Sequence, residues 1–310
     1  MKSSSDQSQP MKILVTGSNG LLGQKLVELI SAKKEHHLIA TAKSKLVINL
    51  PGIEFHSLDI TAQNEVEEVL SKTKPDVVIN TAAMTQVDQC ESEKEKCWLN
   101  NVTAVSYLAD ACKKINAHLV HVSTDFIFDG TRGPLDETEK PNPLSYYGKS
   151  KLEAEVIVQQ SSLSWAILRT VLVYGVTKDM SRSNIVLWVK KSLEEGKSIN
   201  VVNDQWRTPT LAEDLAMGCY LAATKKATGI FNISGSEMMT PLDIALATAD
   251  YFKLEKSLIN PTDSTRFTQP AKRPAKTGFI IEKAKKELGF RPHTFTEGLA
   301  LLADQIRLNS

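Results

Sequence analysis

The stretch KILVTGSNGLLG, residues 12–23, decides the fold class of this 310-residue chain. Its first five residues form an apolar run typical of a buried strand, and the amphipathic segment over residues 21–31 predicts a helix. Gly17, Gly20 and Gly23 lie in the connection, where glycine permits a tight turn and lets backbone N–H groups approach a phosphate. This order of strand, turn and helix predicts dinucleotide binding, and a tight turn without a ligand is the alternative.

The same alternation of short apolar runs and longer amphipathic segments continues to about residue 175. Strands are predicted over residues 12–16, 38–42, 55–59, 77–81, 118–123 and 165–173, and helices over 21–31, 61–72, 100–115 and 144–160. Strands that are apolar on both faces and alternate with helices belong to a parallel sheet covered on both sides. We therefore predict an α/β fold, a Rossmann-like doubly wound parallel sheet, with a dinucleotide-binding domain over residues 11–175.

Beyond residue 175 the pattern becomes irregular. Helices are predicted over residues 184–195, 211–224, 241–252, 281–288 and 295–306, strands over 198–202 and 229–233, and irregular structure over the proline-rich stretch 260–278. We interpret residues 176–310 mainly as a smaller C-terminal substrate-binding lobe that returns one strand and one helix to the main sheet. The polar, Ser- and Gln-rich residues 1–10 are expected to form a disordered leader.

The composition of the chain argues against several classes of binding partner. Lys and Arg number 37 against 36 for Asp and Glu, and this balance gives no sign of a nucleic-acid partner or of a polybasic membrane surface. No apolar run approaches the ~18 residues that a membrane span needs. The four cysteines and six histidines lack metal-ligand spacing, so no metal is predicted. Reduced thiols favour a cytoplasmic protein.

A tyrosine and a lysine suggest the chemistry. Tyr147 and Lys151 lie four residues apart at the start of a predicted helix, and therefore on one face. A nearby ammonium lowers the pKa of a phenol and helps it to donate a proton. At the end of the strand over 118–123, Ser123 and Thr124 supply hydroxyls, and a hydroxyl is needed there to hydrogen-bond to a substrate carbonyl that receives a hydride. A chance Tyr-x-x-x-Lys pattern without catalysis is the alternative.

The end of the second predicted strand indicates which cofactor is preferred. An NAD site carries a carboxylate there for the ribose 2′-OH, but this chain has Thr41-Ala42-Lys43-Ser44-Lys45. Lys43 and Lys45 offer positive charge for a 2′-phosphate. NADPH is therefore the predicted cofactor, with NADH as an alternative. Lysines that are only solvated in the loop are the alternative interpretation of Lys43 and Lys45.

The Gly-x-x-Gly-x-x-Gly spacing resembles that of extended short-chain dehydrogenases. The motifs STDFIFDG from Ser123, NPLSYYGKSK from Asn142, LRT from Leu168 and DQWRTPT from Asp204 resemble the dTDP-4-dehydrorhamnose reductase family, over residues 11–307. The resemblance implies NADPH-dependent reduction of the 4-keto group of a nucleotide sugar, with dTDP-4-dehydrorhamnose to dTDP-rhamnose as the best single expectation. It implies that Thr124, Tyr147 and Lys151 are catalytic.

The resemblance also implies which residues hold the cofactor. Asp59 is expected at the adenine, Asn80-Thr81-Ala82-Ala83 beside the cofactor at a strand end, and Ser123 next to it. The predicted set is Gly17, Asn19, Gly20, Leu21, Leu22, Gly23, Lys43, Asp59, Ile60, Thr81, Ala82, Ala83, Asn101, Ser123, Tyr147 and Lys151. Helix capping by Asp59 and a turn role for Asn80 are compatible alternatives.

Some features leave the function open. The family commonly carries Trp where this chain has Leu172. Trp206 either offers an aromatic surface instead or is a core or interface tryptophan. Arg273-Pro274 resembles a late family element near the substrate. Thr124 is followed by Asp125 and then Phe126, without the acidic pair of related dehydratases, so dehydration is not expected.

Two alternative functions remain. One is a nucleotide-sugar epimerase, which would retain its cofactor and return the hydride. The other is a non-catalytic regulatory subunit that resembles that of methionine adenosyltransferase, since this subunit shares the fold and most of the motifs. A homodimer is a further expectation.

Overall fold

The computed structural model describes residues 9–178 and 184–309. Its strands are β1 (Lys12–Thr16), β2 (His37–Ala42), β3 (Glu54–Ser57), β4 (Val77–Asn80), β5 (His118–Thr124), β6 (Trp165–Thr170), β7 (Val173–Tyr174), β8 (Ile199–Val202), β9 (Thr210–Leu211), β10 (Gly229–Asn232) and β11 (Ile259–Thr262). Seven of them form one parallel sheet in the order β10-β6-β5-β4-β1-β2-β3. This arrangement confirms the predicted Rossmann-like fold.

Helices cover both faces of this sheet. They are α1 (Leu21–Lys33), α2 (Gln63–Thr73), α3 (Val87–Ser92), α4 (Lys94–Trp98), α5 (Ala104–Ile115), α6 (Tyr146–Gln160), α7 (Ile185–Glu194), α8 (Ala212–Thr224), α9 (Pro241–Phe252) and α10 (Phe295–Asn309). Successive strand residues point to opposite faces, so Ile13 packs in the core beneath α1 and α8 while Leu14 packs in the core beneath α2, α5 and α6.

The strand order reverses between β1 and β4, and this reversal positions the site. In an open parallel sheet the connections from two such strands diverge to opposite faces, and a crevice opens between them at the carboxyl ends of the strands. The turn from β1 to α1 and the segment that follows β4 border this crevice. The ends of β5 and β6 lie next along the same edge.

Three predicted elements are corrected. The predicted helix over 100–115 is preceded by α4, and a π-turn over Leu99–Thr103 joins α4 to α5. The predicted strand over 165–173 breaks after β6 because Leu172 takes a φ of 38°, and β7 then pairs with β9. The stretch 260–278 contains β11, which pairs with β8 in a two-stranded sheet where Pro261 is tolerated.

The C-terminal part contributes to both regions. β10 extends the main sheet beside β6, and α8 packs against α1 and the sheet. The helices α7 and α9 enclose separate apolar clusters with β8, β11 and α10. The division into a cofactor domain and a substrate lobe stays a prediction, and positions 1–8 of the predicted leader lie outside the described residues. Within the described ranges, no helix is long and apolar enough to span a membrane.

Candidate active site

The glycine turn between β1 and α1 fits closely against the end of β4. Gly17 has a φ of +66°, and a Cβ placed on it would lie 3.0 Å from the backbone of Ala82. A Cβ on Gly23 would lie 2.2 Å from the carbonyl oxygen of Gly17. The N-cap of α1 is Gly20, with no side-chain hydrogen bond at the cap. Backbone N–H groups at the N-terminus of α1 therefore lack a side-chain cap, and such groups are the donors that a pyrophosphate site uses.

Asn19 and Lys43 order the loop that follows β2. Asn19 donates to the carbonyl of Lys45 at 3.1 Å and accepts from the backbone N–H of Val47 at 2.9 Å. The Lys43 ammonium lies 3.0 Å from Asp59. Burial opposes ionisation of Asp59, but hydrogen bonds from Thr61 and the Lys43 ammonium hold its pKa below the usual value. Lys43 is therefore paired with Asp59 in this structure, and its contact with a 2′-phosphate stays a prediction.

The segment after β4 is held beside the glycine turn by hydrogen bonds to Thr16. The Thr16 hydroxyl donates to Asn80 Oδ1 at 2.6 Å, and the Thr81 hydroxyl donates to the Thr16 carbonyl at 2.6 Å. The N–H of Ala82 also points to the Thr16 hydroxyl, at 3.3 Å. Thr81 and Ala82 are thus held next to the glycine turn, and their contact with the cofactor stays a prediction. Thr16, which organises them, was not among the predicted site residues.

Asn101 joins two segments that border the crevice. It lies buried in the π-turn, accepts from the N–H of Met84 at 2.8 Å and donates to the Met84 carbonyl at 3.0 Å. Its Nδ2 also lies 3.0 Å from the Ser150 hydroxyl on α6. Asn101 therefore positions the segment after β4 against the helix that carries Tyr147. Direct contact between Asn101 and the cofactor stays a prediction.

Thr124 and Tyr147 lie together at the carboxyl edge of the sheet. Thr124 ends β5, and its hydroxyl accepts from the N–H of Phe126 at 3.2 Å. Tyr147 lies in the first turn of α6, which Ser145 caps, and its ring packs edge-on against Phe126 with centroids 5.7 Å apart. Burial raises the pKa of Tyr147 well above the usual value, and a hydrogen bond with Thr124 opposes this shift.

Lys151 lies one turn further along α6, buried beneath the site. Its ammonium donates to the carbonyl of Val122 at 2.7 Å and lies 3.4 Å from Nε2 of His121. Burial lowers the pKa of Lys151 to about 8, while the Glu155 carboxylate acts in the opposite direction. These contacts are to the backbone and to His121, so the expected effect of Lys151 on the Tyr147 pKa stays a prediction.

His121 was not among the site residues predicted from the sequence. In the structure its Nδ1 lies 3.1 Å from Asn80 Nδ2, so a buried network runs from Asn80 through His121 to Lys151. Burial holds the pKa of His121 well below the usual value, and the Lys151 charge adds to this effect. The signal in the sequence was its spacing, because residues two apart on a strand share a face and Ser123 follows His121 by two.

Ser123 provides an independent test of whether the site fits a cofactor. Its hydroxyl is buried and has no hydrogen-bond partner among the described residues. A buried hydroxyl without a partner costs about 1–3 kcal/mol, so it points to a ligand atom that completes it. The N-terminus of α1 and the walls at Thr81 and Ala82 surround the same crevice. These residues fit a nicotinamide dinucleotide.

Two of the residues predicted near the substrate, Arg273 and Trp206, come from the C-terminal part. The Arg273 guanidinium forms a bidentate ion pair with Asp88 on α3, at 2.7 and 3.2 Å. Trp206 is 40% exposed, and its backbone N–H donates to the Ala275 carbonyl at 2.7 Å. Leu172, with its φ of 38°, occupies a backbone region that bulky residues rarely adopt. Compensation for Leu172 by Trp206 stays a prediction.

Among the described residues, no group of three or more His, Cys, Asp or Glu side chains is placed to hold a metal ion.

Comparison with known proteins places the chain in a family. Residues 11–308 match the family described as RmlD substrate binding domain. The chain is 31% identical over 300 residues to the dTDP-4-dehydrorhamnose reductase of Aggregatibacter actinomycetemcomitans, covering 93% of this chain and 97% of the relative. It is 33% identical over 255 residues to methionine adenosyltransferase 2 subunit beta of Xenopus laevis, covering 81% of this chain and 75% of the relative.

Solved structures that resemble this chain include dTDP-4-dehydrorhamnose reductases as well. A dTDP-4-dehydrorhamnose reductase from Clostridium acetobutylicum superposes with a TM-score of 0.82 at 29% identity, covering 96% of this chain and all of the other. The enzyme from Bacillus anthracis, solved in complex with NADP, superposes with a TM-score of 0.82 at 26% identity, covering 96% and 99%. These findings confirm the predictions of a nicotinamide cofactor and of an NADP-dependent oxidoreductase. By its sequence and by its fold, the chain belongs to the RmlD substrate binding domain family.

Proposed function

We propose that this chain uses NADPH to reduce the 4-keto group of a nucleotide sugar, with dTDP-4-dehydrorhamnose as the substrate and dTDP-rhamnose as the product. One observation carries the proposal. Thr124, Tyr147 and Lys151 lie at the same edge of the sheet as Ser123, whose buried hydroxyl has no partner among the described residues. The similarity to named reductases over 93% of the chain supports it.

The residues present can carry out this reduction. The reduced nicotinamide supplies a hydride when it is bound. Thr124 donates its hydroxyl proton in a hydrogen bond to the ketone oxygen, which stabilises the negative charge that develops there. Tyr147 gives its phenolic proton to that oxygen, and the ketone becomes an alcohol. Burial keeps Tyr147 protonated until this step, because it raises the pKa of the phenol.

Lys151 is proposed to orient the cofactor and to supply positive charge beneath Tyr147. Of its three N–H donors, one reaches the Val122 carbonyl at 2.7 Å, and Nε2 of His121 faces the ammonium at 3.4 Å. The remaining donor suits a ribose hydroxyl. NADPH preference rests on Lys43 and Lys45 and on the lack of a carboxylate at the end of β2. A cytoplasmic location and a homodimer belong to the same proposal.

The test supplies the purified chain with NADPH and a panel of nucleotide 4-keto sugars. Loss of NADPH absorbance and identification of the alcohol by mass spectrometry report the reaction, and Tyr147→Phe is the control. We expect one NADPH consumed per alcohol formed. A sugar converted without net loss of NADPH would indicate an epimerase instead.

A second function is favoured by one observation, the 33% identity to methionine adenosyltransferase 2 subunit beta. In that case the nucleotide crevice would serve assembly. Tight NADPH binding without product from any sugar, together with stable association with a methionine adenosyltransferase catalytic subunit, would favour this regulatory function over the reductase.

A further inference from the structure

A buried carboxylate lies directly beside the proposed carbonyl donor. Asp125 is 2% exposed, and its Oδ1 lies 3.2 Å from the Thr124 hydroxyl that donates to it. Its Oδ2 accepts a hydrogen bond from the hydroxyl of Thr277. The reaction as proposed above does not use Asp125. Because a carboxylate is rarely buried unless its charge is paired, the position calls for an explanation.

The partners of this carboxylate come from the C-terminal part of the chain. Arg207 is 4% exposed, and its Nε lies 3.6 Å from Oδ2 of Asp125. The rest of the guanidinium donates to three backbone carbonyls, those of Trp206 at 2.8 Å, Pro274 at 2.6 Å and Ala275 at 3.2 Å. Burial raises the pKa of Asp125, and Arg207 and the hydrogen bonds from Thr277 and Thr124 oppose this shift.

The same two segments hold the residues that are predicted to face the substrate. Residues 204–207 include Trp206, and residues 273–277 include Arg273. The segments are joined to each other, since Thr277 N–H donates to the Trp206 carbonyl at 3.1 Å, and to the loop after β5, since Lys276 N–H donates to the Gly130 carbonyl at 3.1 Å. Asp125 connects both segments to Thr124, because it contacts Arg207 of the first segment, Thr277 of the second and the Thr124 hydroxyl.

The length of the hydrogen bond from Thr124 to Asp125 indicates how strongly Asp125 holds the Thr124 hydroxyl proton. An O–H donor normally lies 2.5–2.7 Å from a carboxylate oxygen, and here the distance is 3.2 Å. Arg207 and Thr277 both act on Oδ2, so they draw negative charge away from Oδ1 and leave it a weak acceptor. The Thr124 proton is then held in a defined direction and can move to a ketone oxygen at little cost.

We infer that Asp125 is a positioning residue, which orients the hydroxyl of Thr124 and makes its availability to the substrate depend on the placement of residues 204–207 and 273–277. This inference rests on the proposed reductase function. If the two segments withdrew, Oδ1 would bind the Thr124 proton more firmly, and the carbonyl donor would be lost.

A double-mutant cycle tests the inference. Thr277→Val keeps the shape of the buried side chain and removes its hydrogen bond to Asp125. We expect kcat to fall about 5- to 10-fold, the effect of one hydrogen bond, while substrate KM and NADPH Kd stay within about 2-fold. Thr277→Ser, which retains the hydroxyl, should restore kcat. In a Thr124→Val background, Thr277→Val should change kcat by less than about 2-fold, because the effect passes through Thr124.

Thr208→Val is the matched control. Thr208 is equally buried, and its hydroxyl contacts Ser234 and the N–H of Phe279 without a bond to Asp125. Its kcat should stay within about 2-fold of the wild type in both backgrounds. Equal losses from Thr277→Val with and without Thr124, or no loss at all, would overturn the inference.

A second measurement tests the inference about Asp125 independently of the proposed reductase activity. If the wild-type chain reduces no nucleotide keto sugar, the proposed function fails, and crystal structures of the wild type and of Thr277→Val with NADPH decide the remaining question. The distance from Thr124 Oγ1 to Asp125 Oδ1 should shorten to about 2.8 Å or less in the variant. An unchanged distance would refute the effect on Thr124.

Discussion

The pair of Glu155 and Arg169 connects the stability of the chain to the chemistry of α6. Glu155 is 0% exposed and Arg169 2%, and the guanidinium donates to the two carboxylate oxygens at 3.0 and 2.7 Å. Glu155→Gln removes the negative charge and leaves Arg169 buried without its counter-ion. Breaking such a pair costs about 3–5 kcal/mol. Arg169 keeps a hydrogen bond to the Glu137 carbonyl at 3.3 Å and lies over the Phe128 ring. These remaining contacts favour a cost at the lower end of this range.

The same substitution should change the dependence of activity on pH. Burial lowers the pKa of Lys151 to about 8, and the Glu155 carboxylate, one turn along α6, limits this shift. Removing the carboxylate therefore lowers the pKa of Lys151 further. Activity that needs the ammonium is present below this pKa and is lost as the pH rises through it. The alkaline loss of kcat/KM should therefore begin at a lower pH in Glu155→Gln than in the wild type.

Two assays measure these effects. Thermal unfolding followed by circular dichroism should show a Tm about 5–8 °C lower for a loss of 3–5 kcal/mol. Turnover measured from pH 6 to 9 gives the alkaline limb. Glu67→Gln, which breaks an exposed pair with Lys114, is the control, with an expected change in the free energy of unfolding below about 1 kcal/mol. If Glu155→Gln is as stable as this control, the reasoning about the buried pair is wrong.

Three further predictions concern the crevice. Tyr147→Phe should lower kcat at least ~100-fold with little change in Tm or NADPH Kd, because the ring still packs on Phe126, and a wild-type rate would remove Tyr147 from the mechanism. Lys43→Ala combined with Lys45→Ala should reduce the preference for NADPH over NADH about 10-fold, because each exposed charge contributes about 0.7 kcal/mol. If the ratio of the NADH Kd to the NADPH Kd is the same in the variant and the wild type, both lysines are only solvated. Lys151→Arg, whose cation does not titrate near pH 8, should lose the alkaline limb, and an unchanged limb would assign it to another group.

Much of the fold follows from local pattern. Ile13 and Leu14 are apolar neighbours that pack on opposite faces, so a sheet covered on both sides could be predicted from the apolar run alone. The break after β6 could not, because nothing in the apolar run 165–173 shows that Leu172 takes a positive φ. β11 was also missed, since Pro261 argues against a strand unless the strand lies at an edge.

The candidate site was predictable where its residues lie near one another in the chain. Tyr147 and Lys151 follow from helical spacing, and Gly17 and Gly23 from the turn. Contacts between distant segments carry no local signal. The pairing of Lys43 with Asp59 and that of Asp125 with Arg207 depend on how loops meet in three dimensions, so the sequence showed charged residues without their partners.

The position of β10 has a consequence for how the chain can be made. β10 pairs with β6, but residues 171–228 must be synthesised before it appears. At about 5–20 residues per second, β6 waits for seconds on the ribosome with one edge unpaired. That edge belongs to a strand whose Ile167 and Leu168 are fully buried in the finished molecule, and unpaired apolar edges recruit other chains. A fragment that stops near residue 175 would keep this edge open permanently, so we expect it to aggregate where the whole chain does not.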